Sequence, residues 1–314
     1  MQSFKKLSFG DLDGWNQDDH DKALDVFSKT QSQFLRNLRP RAKGQNKSFS
    51  SSQEFFEHSF VPTLIDFPNR SFFTGYYEAE ILGSAVPDKE FQFPIYKRPP
   101  DLKKGTKWLS RRELEESNIL QNKSLEIVYL RSRAEVFLLQ VQGSGRVTLT
   151  DGSVIRVGYD GRNGHEYISI GQILIKRGVF SAENISGHAI KHWLTLNPQI
   201  ADELLYQNPS YIFFKVMSDL EEEAGPIGTS NSSLEELRSI AVDPQYIPLG
   251  SPVWIEIKGS YPLNRLMVAQ DTGSAIKGPS RVDIFFGRGD DAEKMAGQIK
   301  DYGRVAVFKN IMGS

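Results

Sequence analysis

Short segments rich in β-branched and aromatic residues, separated by glycine, proline and serine turns, run through most of this chain. They begin with a dense run at Phe72–Tyr77 and recur at short intervals as far as Phe308. Single strands of this kind are not stable alone and need neighbouring strands and an apolar layer to pack against. Many short strands with tight turns favour closed barrels over a doubly wound sheet. We therefore predict a mainly β protein with flanking helices.

The positions of the other elements follow from apolar periodicity and from turn residues. Further strands are predicted at 126–130, 135–141, 146–150, 153–159, 211–216, 239–242, 253–257, 266–271, 281–286 and 304–308. Helical spacing predicts a helix that follows His20, and others at 167–177, at 183–206 with a break near Pro198, and at 290–299.

The composition excludes several classes of function. The 38 basic and 39 acidic residues leave a net charge of -1, which offers no electrostatic footprint for nucleic acid. The chain has no cysteine, which excludes disulfides, thiolate metal sites and a cysteine nucleophile. No apolar run approaches the ~18 residues that span a bilayer. Lys5 and Lys6 are not followed by an apolar segment, so we expect no signal peptide here, and either a cytosolic protein or a mature or truncated form.

Two aspartates stand out in the segment 268–287, in which a glycine-rich loop joins two apolar strands. Asp271 ends the first strand and Asp283 lies within the second. Alternate side chains of a strand point to opposite faces, so Val282 and Ile284 share one face and Asp283 takes the other. A lone aspartate at such a place is ordinarily a turn or capping residue, but two of them favour a functional site. A partly desolvated carboxyl beside a second carboxylate has a raised pKa, which suits a general acid.

The sequence Asp271-Thr-Gly-Ser274 also matches the signature of aspartic peptidases. Such enzymes need two carboxylates that share a proton. A single chain of 314 residues should then carry a second Asp-Thr-Gly or Asp-Ser-Gly, and none is present, since Asp151-Gly-Ser153 has the wrong order. The peptidase interpretation is kept as an alternative.

Metal and phosphate sites are weakly indicated. His188 and His192 stand four residues apart on a predicted helix, but Ala189 occupies the place of the glutamate in a His-Glu-x-x-His motif. The glycines at 143–145 and 273–278 lack the spacing of dinucleotide- and phosphate-binding loops. We therefore expect neither a metal nor an organic cofactor.

A set of motifs in one order carries a family resemblance. These are Phe73–Tyr77, Phe91–Tyr96, Val141–Gly145, Gly161–His165 with Ser169–Gly171, and Asn208–Lys215. Together they resemble the MltA family of lytic murein transglycosylases, and the carboxy-terminal part resembles the 3D domain, named for three aspartates. Those aspartates correspond here to Asp243, Asp271 and Asp283. The resemblance covers about residues 72–308.

The resemblance implies a double-psi β-barrel with a second, smaller β-barrel domain inserted into it. Residues 1–79 would hold the amino-terminal helices and the first part of the double-psi barrel. Residues 80–207 would form the inserted barrel, and residues 208–314 the remainder of the double-psi barrel. The glycan would lie in the groove between the two domains, a usual place for a ligand.

The resemblance also implies a reaction. The family cleaves the β-1,4 bond between N-acetylmuramic acid and N-acetylglucosamine in peptidoglycan and leaves a 1,6-anhydromuramyl end. Ordinary glycosidases use two carboxyls. Here the C6 hydroxyl of the sugar is the nucleophile, so a single carboxyl, that of Asp283, would act first as acid and then as base.

Roles for other residues are carried over by similarity. Asp271 would support Asp283 or raise its pKa, and Asp243 would brace a turn. Lys277, if it points inward, would oppose a raised pKa and bind a polar group of the glycan. Further substrate-binding residues would be Thr74, Tyr76, Gln142 and Ser144, although strand aromatics such as Tyr76 more often serve packing.

The resemblance places the protein in the periplasm or cell envelope, as a monomer with peptidoglycan glycan strands as its partner. Membrane-bound members carry a signal peptide and a lipidated cysteine, and neither is recognisable in this sequence. A non-catalytic glycan-binding module is the main rival from another class. Against it stands Asp283 on an otherwise apolar strand, which a binding protein does not need.

Overall fold

The computed structural model describes residues 4–37, 49–65, 70–103, 105–182, 184–259 and 261–311. The strands are β1 Phe4–Lys6, β2 Phe60–Ile65, β3 Ser71–Gly83, β4 Phe93–Tyr96, β5 Glu126–Leu130, β6 Ser144–Leu149, β7 Val154–Arg162, β8 Ile212–Val216, β9 Ser239–Ala241, β10 Pro252–Ile257, β11 Leu263–Asp271, β12 Arg281–Arg288 and β13 Asp301–Asn310. The helices are α1 His20–Asn37, α2 Ser52–Ser59, α3 Arg111–Ser117, α4 Arg133–Gln142, α5 Ile170–Lys176, α6 Gly187–Leu196, α7 Pro198–Leu205 and α8 Gly289–Gln298. The prediction of a mainly β protein with helices is confirmed.

One predicted strand is wrong. Residues 135–141 lie in helix α4 and not in a strand. The side chain of Ser132 accepts a hydrogen bond from the Glu135 N–H at 3.2 Å, and Gly143 ends the helix with a positive φ of 80°. A continuous apolar run is compatible with a buried strand or a buried helix, and here the caps at its two ends decide.

The chain divides into two compact units. Unit 1 consists of the chain up to Tyr77, Glu223–Gly287, and the chain from Asp291 onward. Unit 2 consists of Glu78–Glu222 and Arg288–Asp290. Strand β8, which the sequence analysis assigned to the 208–314 segment, clusters with unit 2 because it pairs with β7 from Arg162 to Val157.

Unit 1 contains a closed ring of strands. The strands of the ring follow the order β13, β10, β11, β9, β12 and β3, each hydrogen-bonded to the next, and β3 also pairs with β13. Strands β9 and β11 are parallel, whereas β9 and β12 are antiparallel. Strands β2 and β1 extend the sheet beyond β13.

The interior of this ring is apolar. Val282 and Ile284 are buried there together with Phe286, Ile240 and Met267. Asp283, between the first two, is only partly buried. The predicted alternation of faces along β12 is therefore confirmed. A second apolar layer, which includes Trp15, Phe56 and Trp254, lies on the outside of this ring, where α1 and α2 pack.

Unit 2 also has strands connected in a ring. The end of β3 pairs with β6, β6 with β7, and β7 with β8. A separate pair, β4 and β5, is joined to the others by two isolated bridges, Ser84 to Tyr129 and Lys97 to Phe214. Helices α4 to α7 share an apolar cluster built around Phe137 and Leu174. Within the described ranges, no helix is long and apolar enough to cross a membrane.

Candidate active site

The two aspartates singled out in the sequence lie in one row across the barrel of unit 1. Strand β9 runs between β11 and β12, and its residue Ala241 pairs with Asp271 on one side and with Asp283 on the other. Adjacent strands lie ~4.8 Å apart, so the two backbones are about 10 Å apart across the sheet. The row exists because β9, which is distant in sequence, inserts between the two strands.

Strand β3 supplies a hydroxyl to each aspartate. Thr74 Oγ1 donates a hydrogen bond to Asp283 Oδ1. Tyr76 Oη donates to Asp271 Oδ2 at 3.2 Å. Thr74 and Tyr76 are two residues apart and therefore lie on the same face of the strand. The structure thus brings four of the predicted site residues together.

Gly75, between these two residues, permits the close packing behind them. A Cβ atom at this position would lie 2.6 Å from Phe286 Cε2 and 2.7 Å from Ala296 Cα. Both distances are shorter than van der Waals contact. Only a residue without a side chain lets β3 approach β12 and α8 this closely.

Arg281 is a charged neighbour of Asp283 that the sequence analysis did not select. Its Nη2 donates to Thr74 Oγ1 at 2.7 Å, and its Nη1 donates to the Val282 carbonyl oxygen at 2.8 Å. Its guanidinium also lies over the Phe72 ring, 5.1 Å from the centroid. A sequence signal was available, because Arg281 stands two residues before Asp283 on the same strand and so shares its face.

The surroundings favour a protonated Asp283. Burial raises its pKa above the ordinary value, and the negative charge of Asp271 acts in the same direction. The Arg281 charge and the Thr74 hydrogen bond oppose this rise without cancelling it. Desolvation is the larger cause, and the contribution of Asp271 is the smallest of the four. Burial also raises the pKa of Tyr76, which keeps its phenol protonated as a donor.

Asp271 is held by a loop that the sequence analysis did not connect with it. Its Oδ1 accepts hydrogen bonds from the Thr229 N–H at 3.0 Å and from Thr229 Oγ1 at 2.9 Å. Thr229 Oγ1 is also 2.8 Å from Thr272 Oγ1. Burial raises the pKa of Asp271 despite these hydrogen bonds. No local pattern identifies Thr229, since it lies 42 residues away in the chain.

The third aspartate, Asp243, is buried and bonds to backbone. Its Oδ1 accepts from the Gln245 N–H at 3.2 Å, and its Oδ2 accepts from the Gly278 N–H at 2.8 Å. Asp243 therefore ties its own turn to the loop between β11 and β12. Lys277 lies in that loop, and its side chain is exposed.

The other two predicted substrate-binding residues belong to unit 2. Gln142 is the last residue of α4, and Ser144 is the first residue of β6. Both are half-buried, and Gly143 turns the chain between them.

Comparisons with known proteins agree on one family. The profile of the MltA-specific insert domain matches residues 72–215, and that of the 3D domain matches residues 238–309. A crystal structure of a membrane-bound lytic murein transglycosylase from Agrobacterium tumefaciens superposes with a TM-score of 0.87 at 31% identity, covering 98% of both chains. The chain belongs to the MltA family of lytic murein transglycosylases.

Other MltA proteins are also similar to this chain in sequence and in structure. Membrane-bound lytic murein transglycosylase A of Escherichia coli (strain K12) is 40% identical over 254 residues, which is 77% of this chain and 66% of the relative. The match thus spans just under two thirds of that MltA protein. A crystal structure of E. coli MltA with bound chitohexaose aligns with a TM-score of 0.71 at 32% identity, covering 93% of this chain and 84% of that one.

Proposed function

We propose that this protein is a peptidoglycan lytic transglycosylase that cleaves the β-1,4 bond between N-acetylmuramic acid and N-acetylglucosamine, with Asp283 as acid and then base. The observation that carries the proposal is one partly buried carboxyl whose surroundings raise its pKa, placed on a strand within the segment that matches the 3D domain. The names of the MltA relatives support the reaction.

The reaction proceeds in two proton transfers. Protonated Asp283 gives its proton to the glycosidic oxygen as the bond between that oxygen and C1 of the muramyl residue breaks. The oxygen of the C6 hydroxyl then bonds to C1, and its proton passes to Asp283. The product carries a 1,6-anhydro ring, no water is consumed, and the carboxyl returns to its starting state. A raised pKa suits the first transfer because it increases the protonated fraction near neutral pH.

We propose that Asp271 acts mainly by holding other groups in place. It accepts hydrogen bonds from Tyr76 and twice from Thr229, whereas it is the least of the four causes that shift the pKa of Asp283. Asp243 would brace the loop that carries Lys277. Tyr76, Lys277, Gln142 and Ser144 are proposed to bind the glycan, as the MltA resemblance implies.

We also propose the finer architecture of the family for this chain. Unit 1 would be the double-psi β-barrel, which is supported by its closed ring of six strands, in which β9 and β11 are parallel. Unit 2 would be the inserted β-barrel, which is supported by the bridges that connect its strands. The protein would act as a monomer in the cell envelope, as the membrane-bound relatives suggest.

The test is mass spectrometry of purified peptidoglycan digested by the wild type, by Asp283→Asn and by a control, Asp291→Asn. Asp291 is exposed and belongs to α8 of the same unit. We expect 1,6-anhydro ends from the wild type and the control, and a loss of at least about 100-fold in Asp283→Asn. Reducing ends would indicate a hydrolase with a second carboxylate. Intact glycan from all three proteins, with binding retained, would indicate a glycan-binding module.

A further inference from the structure

We infer that Thr74 and Arg281 are positioning residues that confine the acidic proton of Asp283 to its Oδ2 oxygen. The inference deepens the proposed function, because its catalytic consequence depends on Asp283 acting as the acid. It gives Thr74 a different task from the glycan binding that the sequence predicted.

The donor and acceptor of each hydrogen bond from Arg281 through Thr74 to Asp283 follow from the chemistry of the side chains. An arginine guanidinium can only donate, so Thr74 Oγ1 must accept from Arg281 Nη2 at 2.7 Å. The hydroxyl has a single proton, and that proton points to Asp283 Oδ1. With the hydroxyl proton in this direction Oδ1 accepts, whereas an Oδ1–H that donated to the second lone pair of Thr74 Oγ1 would have to displace that proton. When Asp283 is protonated, its proton resides on Oδ2.

The guanidinium is fixed in the orientation that this arrangement needs. Nη1 donates to the Val282 carbonyl oxygen at 2.8 Å and to the Phe72 carbonyl oxygen at 3.5 Å. The Phe72 ring lies against its face. Because these partners belong to β12 and β3, the same two strands that carry Asp283 and Thr74 hold the cation in position.

The charged and titratable groups that act on Asp283 come from three strands. Arg281 on β12 favours the ionised carboxyl, Asp271 on β11 disfavours it, and Thr74 on β3 favours it through the hydrogen bond. Tyr76, also on β3, is a neutral donor to Asp271. Removing the Thr74 hydroxyl should therefore raise the pKa of Asp283.

The proposed reaction benefits from a proton on one defined oxygen. Oδ2–H would deliver the proton to the glycosidic oxygen, and the same Oδ2 would receive the proton of the C6 hydroxyl. Without the Thr74 hydroxyl, the proton distributes over both oxygens, and the carboxyl can rotate. The rate of the proton transfers should fall, whereas glycan affinity should change little.

The experiment compares Thr74→Val with the matched control Thr74→Ser, which keeps the hydroxyl. We expect Thr74→Val to lower kcat about tenfold with KM little changed, and to move the basic limb of the pH–rate profile to higher pH. Thr74→Ser should resemble the wild type. A raised KM with unchanged kcat and an unmoved limb would assign Thr74 to glycan binding and overturn the inference.

A second measurement does not depend on activity. The Asp283 carboxyl carbon is titrated by NMR with isotope-labelled aspartate and is assigned with Asp283→Asn. We expect its pKa to rise in Thr74→Val and in Arg281→Gln, and to stay near the wild-type value in Thr74→Ser. An unmoved pKa in both of the first two variants would refute the inference whether or not the protein cleaves glycan. Absence of anhydro ends from the wild type would refute the proposed function alone.

Discussion

The Asp283 carboxyl combines burial with proximity to a second carboxylate, and both features favour its neutral form. Its pKa is raised chiefly by burial. A group whose pKa is higher in the folded than in the unfolded state stabilises the fold when it is protonated, and loses that contribution as the pH rises through its folded pKa. The residue proposed to perform the chemistry should therefore lower the stability of the wild type at neutral pH.

At the residue scale, we predict that Asp283→Asn raises the melting temperature at pH 7 relative to the wild type. Asparagine removes the charge that burial disfavours but keeps an acceptor for Thr74. The advantage should shrink as the pH falls through the raised pKa of the folded state, and it should vanish below about pH 4, where the wild-type carboxyl is protonated in both states. Thermal unfolding from pH 3 to 8 measures this, with exposed Asp291→Asn as the reference. A difference in melting temperature that is the same at all pH values would show that ionisation of Asp283 does not affect stability.

At the scale of elements, β3 positions the site because one face of this strand carries both Thr74 and Tyr76. On the other face, Gly75 must lack a side chain, because β3 packs there against Phe286 and α8. The strand can present two hydroxyls to two aspartates only while its backbone stays close to β12. Packing behind the strand and chemistry in front of it are therefore coupled.

We predict that Gly75→Ala lowers the free energy of unfolding by about 1–3 kcal/mol, because the added methyl would overlap Phe286 and Ala296. Activity in the folded fraction should fall as well, since Thr74 and Tyr76 would be displaced. Urea denaturation measures the first effect. Gly187→Ala is a suitable control, because a Cβ there meets no atom within 4 Å. Equal stability of the two variants would show that β3 tolerates displacement.

At the scale of the whole molecule, the chain passes between its two units next to a buried ion network in unit 2. Glu78, the first residue of that unit, accepts from Arg146 Nε and from Arg156 Nη2, both at 3.0 Å. The same arginines donate to the carbonyl oxygens of Glu222 and Glu221, at the end of the Glu78–Glu222 segment of the unit. The network thus connects the two ends of that segment.

We predict that Glu78→Gln destabilises unit 2 by about 3–5 kcal/mol, because two buried guanidinium groups lose their counter-charge. Glu80→Gln changes an exposed glutamate on the same strand and should cost less than about 0.5 kcal/mol. Hydrogen exchange should show lower protection in β6 and β7 of Glu78→Gln than in the control. Similar exchange in the two variants would mean that the network contributes no net stability.

The sequence alone indicated most of the strands, and it selected Asp283 as the candidate acid. Turn residues and period-2 alternation are local properties, so β5 was predicted with its observed bounds and the polar face of β12 was predicted at Asp283. The segment 135–141 shows the limit of this reasoning. Its apolar run fits either a strand or a helix, and the caps at Ser132 and Gly143 select the helix.

Only the tertiary structure decided which strands are neighbours, and with them the surroundings of Asp283. Thr74 and Asp283 are separated by 209 positions, and Asp271 and Thr229 by 42. The first contact arises because β3 lies beside β12 in the closed ring, and the insertion of β9 between β11 and β12 places Asp271 and Asp283 in one row. Strand pairing depends on burial and register summed over the whole barrel, which no single segment encodes. For this reason the sequence indicated Asp283 as the proposed acid, and the fold determined which groups surround its carboxyl.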